Sequence, residues 1–296
     1  QYRAAKQTPH CKFGEQGVCC RICAMGPCRI TPKAPRGICG CDVHGIVGRN
    51  YLKFTAGGAA THSDHGREIC HTLYEASADG CYKVKDPEKL IRIAKEWDIE
   101  TEGKDIYDLA HEVALTGLNE YGKPFGTQKF LKRAPESQQK LWEENELAPH
   151  AIDREVSRSL HMAHMGCSSK PEALVKQSIR AGLSDGWGGS MMGTEFSDVL
   201  FGTPKPVETE ANRGVMVEEN VNIVVHGHDP SLSEMICEVA DSPEMIAYAK
   251  EMGAKGITVS GVCCTSNEVA MRRGVPMAGN FLQQENVVLT GACEAI

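Results

Sequence analysis

The sequence has no apolar stretch long enough to cross a membrane. Its longest, such as VNIVV at 221–225, fall far short of the ~20 residues that a spanning helix needs. It has no basic run or tail, and its net charge is -7. Both features argue against nucleic acid and anionic membrane surfaces as partners. The opening QYRAAKQTPH lacks the apolar core of a signal peptide. The middle of the chain lacks the strict alternation of exposed strands. What remains is the composition of an ordinary soluble protein, 41% apolar and 24% charged, in 296 residues, enough for two domains.

Cysteine is abundant instead. There are 14, and six fall within 11–39. In a small secreted chain they would read as disulfides. In a chain of this size without a signal segment, a metal or iron–sulfur site in a reducing, cytoplasmic compartment fits better. Cys20-x2-Cys23-x4-Cys28-x10-Cys39 supplies four thiols, with Gly26 and Gly37 letting the backbone wrap. Such a set suits a [4Fe–4S] cube. Zinc is the alternative, although the second C-x2-C knuckle usual in zinc sites is absent. Cys11 and Cys19 remain, with Cys19 directly beside Cys20. Two thiols are half of a four-cysteine site, and a twofold axis would double them. The competing reading is that both are free thiols.

Residues 1–45, rich in Cys, Gly and Pro, read as a ligand loop. From about 46 to 200 the pattern is helical. Asp86-Pro87-Glu88 is a helix start. Leu90, Ala94 and Trp97 share a face, as do Ile106, Leu109 and Val113, and Ile152, Val156 and Leu160, with Gly166 as the stop of the last helix. The texture changes near Pro204–Pro206. Strands are expected at 221–225, 257–260 and 286–292, with a helix from about 266 capped by a Thr265-x-x-Glu268 box. Strands alternating with helices imply a parallel α/β sheet. The expected fold is therefore α/β overall: a mostly helical, cluster-binding domain over 1–205, then an incomplete, Rossmann-like parallel α/β domain over 206–296.

Two further groups carry chemistry. His226 and His228 follow the first strand, and Cys263 and Cys264 follow the second, where open α/β sheets place ligands. At a helix N-terminus the dipole favours thiolate. These are plausible metal ligands but too few to close a site, and a buried structural cysteine pair is the rival reading. THSDHGREICH puts His62, His65, Glu68 and His71 three residues apart on a helix. Imidazoles can pass protons along such a row, although an exposed polar face is the commoner explanation. His161 and His164 have similar spacing, but nothing near them adds chemistry.

CKFGEQGVCCRICAMGPCRI, HSDHGREICH, FSDVLFGTPKPVETEANRGV, VHGHDPSLSE and GVCCTSNEVAMRRGVP occur in this order between Cys11 and Ile296. Together they resemble the nickel–iron carbon monoxide dehydrogenases of anaerobes. The resemblance implies a homodimer that interconverts CO and CO2. It implies that Cys11 and Cys19 of both subunits hold an intersubunit [4Fe–4S] cluster. Cys20, Cys23, Cys28 and Cys39 would hold a second, with Cys39 taken over the neighbouring Cys41. His228 and Cys264 would bind the active Ni–Fe–S cluster, and His62, His65 and His71 would relay protons, His62 also bonding the bound carboxylate. Glu68 stands where many members have another histidine. Electrons would leave to ferredoxin or a similar carrier, and an acetyl-CoA synthase subunit is a further partner the resemblance allows. Family chains are about twice as long, and their later part carries the remaining ligands and a catalytic lysine. The sequence here is thus expected to be a fragment with an incomplete active-site ligand set. A hybrid-cluster protein acting on hydroxylamine-like substrates is the nearest rival. A non-catalytic electron-transfer piece is the next.

Overall fold

The structure, a computed structural model, describes residues 5–79, 82–165, 167–228 and 230–296. Gly166, the expected helix stop, lies outside them. The chain forms two compact units, each assembled from separate stretches of sequence. One comprises 1–74, 97–99 and 111–194, and the other 75–96, 100–110 and 195–296. No helix among the described residues is long and apolar enough to cross a membrane.

The long helix α1 (Val43–Asp79) follows the cysteine loop. Its buried positions include Arg49, Leu52, Ala56, Ala59, Ser63, Cys70 and Leu73. They recur every three or four residues, the spacing of one helix face. Helices α2 (Pro87–Glu96), α3 (Ile106–Glu120) and α4 (Glu136–Glu144) come next. Asp86 caps α2, its Oδ1 accepting the Lys89 N–H at 2.9 Å, as the sequence suggested.

Helix α5 (Ile152–Ala163) packs on α6 (Pro171–Ser184). Its buried face differs from the expected apolar stripe. Ile152, Glu155, Ser159 and Ala163 point inward, while Leu160 is 49% exposed. Polar residues can fill that face because they are satisfied there. Glu155 pairs with Arg180 at 2.7 Å and accepts from Gln177 at 3.0 Å.

A π-helical turn, Asp185–Ser190, joins α6 to α7 (Met191–Phe201). Its sequence is DGWGGS, and glycine is required here by contact. A Cβ on Gly189 would lie 2.8 Å from the His62 carbonyl carbon and 2.8 Å from Ile152 Cδ1. The turn therefore presses backbone to backbone against α1.

In the second unit, β3 (Val221–His226), β4 (Ile257–Val262) and β5 (Met277–Gly279) form a parallel sheet in that order. Val221 pairs with Ile257 and His226 with Val262. Val225 packs with Cys237 of α8 (Pro230–Ala240) and Val269 of α10 (Cys263–Arg273). Val224 packs with Val262, Ala278 and Val287. Neighbouring residues of β3 thus serve different clusters, as expected when a parallel sheet is covered on both faces. Helix α9 (Pro243–Glu251) leads into β4. The expected third strand fails in this unit. Residues 286–292 do not form a strand; Gln284–Leu289 is a helix, α11. Asn280 and Gln283 make a reciprocal capping box that opens a helical turn ahead of it. The third strand is instead the short Met277–Gly279.

A buried ion cluster holds α2, α7, α8 and α10 together. Arg272 lies 2.7 Å from Asp198, 3.4 Å from Glu234 and 2.9 Å from Glu268. Lys89 pairs with Asp198 and Glu195, and Arg273 with Glu234.

Candidate metal centres

The N-terminal loop folds through a small antiparallel pair, β1 (Cys19–Cys20) and β2 (Cys28–Arg29), with Cys20 opposite Cys28. Successive strand residues point to opposite sides. Cys20 is accordingly buried while Cys19 is only half-buried. A Cβ on Gly26 would lie 3.1 Å from the Cys20 carbonyl oxygen and 3.3 Å from the Cys28 nitrogen. The tight passage from Cys23 to Cys28 therefore depends on glycine. At Gly37 an added Cβ would meet ordinary contacts.

Cys20, Cys23, Cys28 and Cys39 line one cavity, with Cys41 and Arg49 also at its wall. None of the described cysteines is in a disulfide. The Ile38 N–H points to Cys28 Sγ at 3.5 Å, and Arg49 Nη1 lies 3.5 Å from Cys39 Sγ. Cys39 and Cys41 differ in chemistry. A hydrogen bond from the Cys41 backbone and a second from Arg49 pull the Cys39 thiol below its usual range. Burial pushes the Cys41 thiol up. The thiolate is the ligand form, so this difference runs in the direction that a ligand at Cys39 requires. No group of three or more Cys, His, Asp or Glu among the described residues is arranged around a single metal ion. Four thiols spaced around a cavity suit a cube better than one tetrahedral zinc.

Cys11 and Cys19 are not among the residues lining this cavity. Cys11 is exposed, and backbone N–H groups of Gly14 and Phe13 lower its thiol. Asn50 of α1 ties down the loop between them, donating to the carbonyls of Gly17 at 3.2 Å and Cys19 at 3.1 Å.

His62, His65, Glu68 and His71 all lie on α1. Each three-residue step turns about 300°, so the row winds half-way round the helix from His62 to His71. His62 and His65 are half-buried, and Glu68 and His71 are exposed. His62 Nδ1 lies 2.5 Å from Asp185 Oδ1, on the π turn. A carboxylate only accepts, so Nδ1 carries the proton of this bond and Nε2 is the unprotonated nitrogen of the neutral ring. Sequence reasoning missed Asp185, which lies 123 residues from its partner. The only signal was a glycine-rich break, DGWGGS, in a helical stretch.

The ends of β3 and β4 meet as expected. His226 closes β3, and His228, half-buried, follows in the next loop. Cys263 and Cys264 open α10 directly after β4. The Thr265 N–H donates to the Gly227 carbonyl at 3.1 Å, joining the two strand ends. The expected capping box does not form, because the helix begins at Cys263 with Val262 as its cap. Thr265 lies inside the helix and donates instead to Ser233 Oγ at 2.6 Å. Cys263 adopts φ 69°, a left-handed conformation rare for a residue with a side chain. Its Sγ lies 3.4 Å from His226 Nε2, which in turn bonds Gln284 Oε1 at 2.6 Å. Burial raises the Cys263 thiol, against the expected effect of the helix dipole. The exposed thiol of the doublet is Cys264.

Over residues 18–296 the sequence matches the Prismane/CO dehydrogenase family. The chain belongs to that family. Carbon monoxide dehydrogenase 1 of Methanosarcina mazei is 47% identical over 299 residues, covering 99% of this chain and 48% of that protein. The nickel-free carbon monoxide dehydrogenase of Thermococcus sp. AM4 superposes with a TM-score of 0.89 at 50% identity, covering 100% of this chain and 48% of that one. An acetyl-CoA synthase/carbon monoxide dehydrogenase structure gives 0.85 at 41% identity, over 98% of this chain and 44% of the other. The chain thus spans about half the length of the family members it matches. The mixed helical and parallel-sheet fold is the fold of that half.

Proposed function

We propose that this chain is part of an enzyme that reversibly oxidises carbon monoxide, CO + H2O giving CO2, two protons and two electrons. Membership of the family, and relatives that are carbon monoxide dehydrogenases, support an oxidoreductase that uses nickel and iron–sulfur clusters. The same relatives do not favour the hybrid-cluster reading.

The observation that carries the proposal is the four-thiol cavity, with N–H donors already aimed at two of its sulfurs. These residues fit a [4Fe–4S] cluster held by Cys20, Cys23, Cys28 and Cys39. Cys11 and Cys19 would hold another, completed by the same pair of a second subunit in a homodimer. His228 and Cys264, at adjoining strand ends, would hold part of a Ni–Fe–S cluster. When bound, that cluster supplies a soft nickel centre for CO and a Lewis-acidic iron for water.

The chain's own residues then manage protons. His62 accepts a proton at Nε2, and the Asp185 carboxylate stabilises the imidazolium that forms. His65, Glu68 and His71 continue outward along α1 to an exposed end. Asp185 is a positioning residue, fixing ring and tautomer. Electrons would pass through the two [4Fe–4S] clusters to a ferredoxin-type carrier. The acetyl-CoA synthase complex among the structural relatives supports such a subunit as a further partner. The many cysteines, free throughout the described residues, support a reducing compartment such as the cytoplasm.

In the full-length enzyme, His228→Ala should abolish CO-dependent viologen reduction while leaving the [4Fe–4S] signals intact. Normal turnover in that variant would refute the assignment.

A further inference from the structure

The π turn that carries Asp185 is held from two sides. On one side it meets α1. A Cβ added to Gly189 would lie 2.8 Å from the His62 carbonyl carbon, and one added to Gly66 would lie 2.8 Å from the Gly189 carbonyl oxygen. On the other side Gly188 meets Gln128. A Cβ there would run into the Gln128 amide, 2.9 Å from its Cδ. Two adjacent glycines thus put bare backbone between the Gln128 amide and His62. No side chain lies between them to absorb a displacement.

Gln128 bonds this turn as well as packing on it. It is 2% exposed, and its Nε2 donates to the Ser184 carbonyl at 3.0 Å. That carbonyl belongs to the same peptide group as the Asp185 nitrogen. A peptide group is planar, so holding its oxygen fixes the plane from which Asp185 departs. The backbone around Gln128 is itself pinned. Its N–H donates to the Pro149 carbonyl at 3.4 Å, its carbonyl accepts from Leu131 at 3.1 Å, and the Lys129 N–H donates to Glu120 Oε2 at 2.8 Å. Gln128 Oε1, by contrast, is buried with no hydrogen-bond partner among the described residues. Such an amide adds little net stability, because its orphan oxygen offsets the bond that its nitrogen makes. An apolar side chain of similar length would serve packing as well. The glutamine is therefore explained by where its N–H points.

We propose that Gln128 is a positioning residue for the His62–Asp185 pair, locking the Ser184–Asp185 peptide so that the carboxylate meets the imidazole. The inference rests on the proton-handling role given to His62 above. A π turn departs from the regular α-helical ladder, and such turns recur at functional sites. Within this one, Ser190 Oγ reaches Asp185 Oδ1 only at 3.4 Å, a weak restraint. The bond from Gln128 supplies a firmer one from outside the turn.

The test is a double-mutant cycle in the full-length enzyme, with Gln128→Met, Asp185→Asn and both together. Gln128→Met keeps the bulk and removes the donor. Alone it should lower kcat for CO-dependent viologen reduction roughly three- to tenfold, the size expected from one neutral hydrogen bond. The KM for CO should hold. The urea midpoint should stay near that of the unmodified enzyme, since the orphan oxygen goes with the bond. A crystal structure should show the Asp185 carboxylate withdrawn from His62 Nδ1. In the Asp185→Asn background the same substitution should change kcat by less than about twofold, because its route to His62 is already cut. Losses in kcat that simply multiply, or an Asp185 still bonded to His62 in Gln128→Met, would overturn the proposal. Should Gln128→Met not fold, Gln128→Asn, whose amide is drawn back from Ser184, is read in the same cycle. If Asp185→Asn itself keeps the wild-type kcat and pH profile, the role of the His62–Asp185 pair is refuted instead, and the position of Asp185 in the Gln128→Met crystal structure decides on Gln128. Absence of CO-dependent viologen reduction in the unmodified enzyme would refute the proposed function.

Discussion

Asp185→Asn probes the contact that sequence reasoning could not see. The 2.5 Å bond from His62 Nδ1 to Asp185 Oδ1 is charge-assisted when the imidazole is protonated. Such bonds contribute about 1.5–3 kcal/mol. The two side chains are 21% and 25% exposed, so water replaces part of what is lost and the lower half of that range applies. At about 1.4 kcal/mol per decade, kcat for CO oxidation should fall roughly 10- to 40-fold in the full-length enzyme. An amide can also turn its NH2 toward the ring, which disfavours the tautomer protonated at Nδ1. The loss should therefore appear in kcat and in the pH profile, with KM for CO little changed. Stopped-flow or steady-state viologen reduction measures both. A variant with the wild-type kcat and pH profile would show that Asp185 does not act through His62.

The remaining predictions concern chemistry and stability. In cluster-free protein, Cys39 should alkylate faster than Cys41 and respond at lower pH, because its thiolate is favoured where that of Cys41 is disfavoured; Arg49→Met should narrow the gap, as read by peptide mass spectrometry. Arg272→Leu strips the shared cation from Asp198, Glu234 and Glu268 and should cost about 3–5 kcal/mol in urea unfolding. Burial already raises the Glu268 carboxyl and Arg272 opposes that shift. Without Arg272 the native state holds the Glu268 proton more tightly than the unfolded chain does, so the deficit should be smaller in mild acid and grow as pH rises. A deficit that is unchanged by pH would contradict this. Gly189→Ala drives a Cβ into His62 and Ile152 and should cost about 1–3 kcal/mol by thermal or urea unfolding, with Asp185 displaced from His62 in a crystal structure; an unperturbed protein would refute the close approach.

The sequence revealed strong local signals and missed those made only by tertiary contact. The strands at 221–226 and 257–262 were legible as short β-branched runs between glycine and polar stops. Asp86 was legible as a cap because the cap and its partner lie three residues apart. The run at 286–292 was misread because a short apolar stretch has no decisive period, and the capping box before it settled the matter. Thr265 looked like half of a cap, yet the chain had already turned helical at a left-handed Cys263, which no local pattern marks. Leu160 was assigned inward by its spacing, but Glu155 and Ser159 took that side because Arg180 and Gln177 reach them from α6. The thiols of the cavity were readable from their spacing. Arg49, which tells two neighbouring thiols apart, was not, since its role depends on how α1 lies beside the loop.

The shortness of β1 has an electronic consequence. If its two side chains each grip a different inorganic core, a single peptide group is all the covalent matter that separates them. An electron crossing between the cores would then have a bonded bridge through the main chain, with no jump across empty space. Placing one extra residue inside the doublet would turn one sulfur to the wrong side and lengthen that bridge in a single stroke.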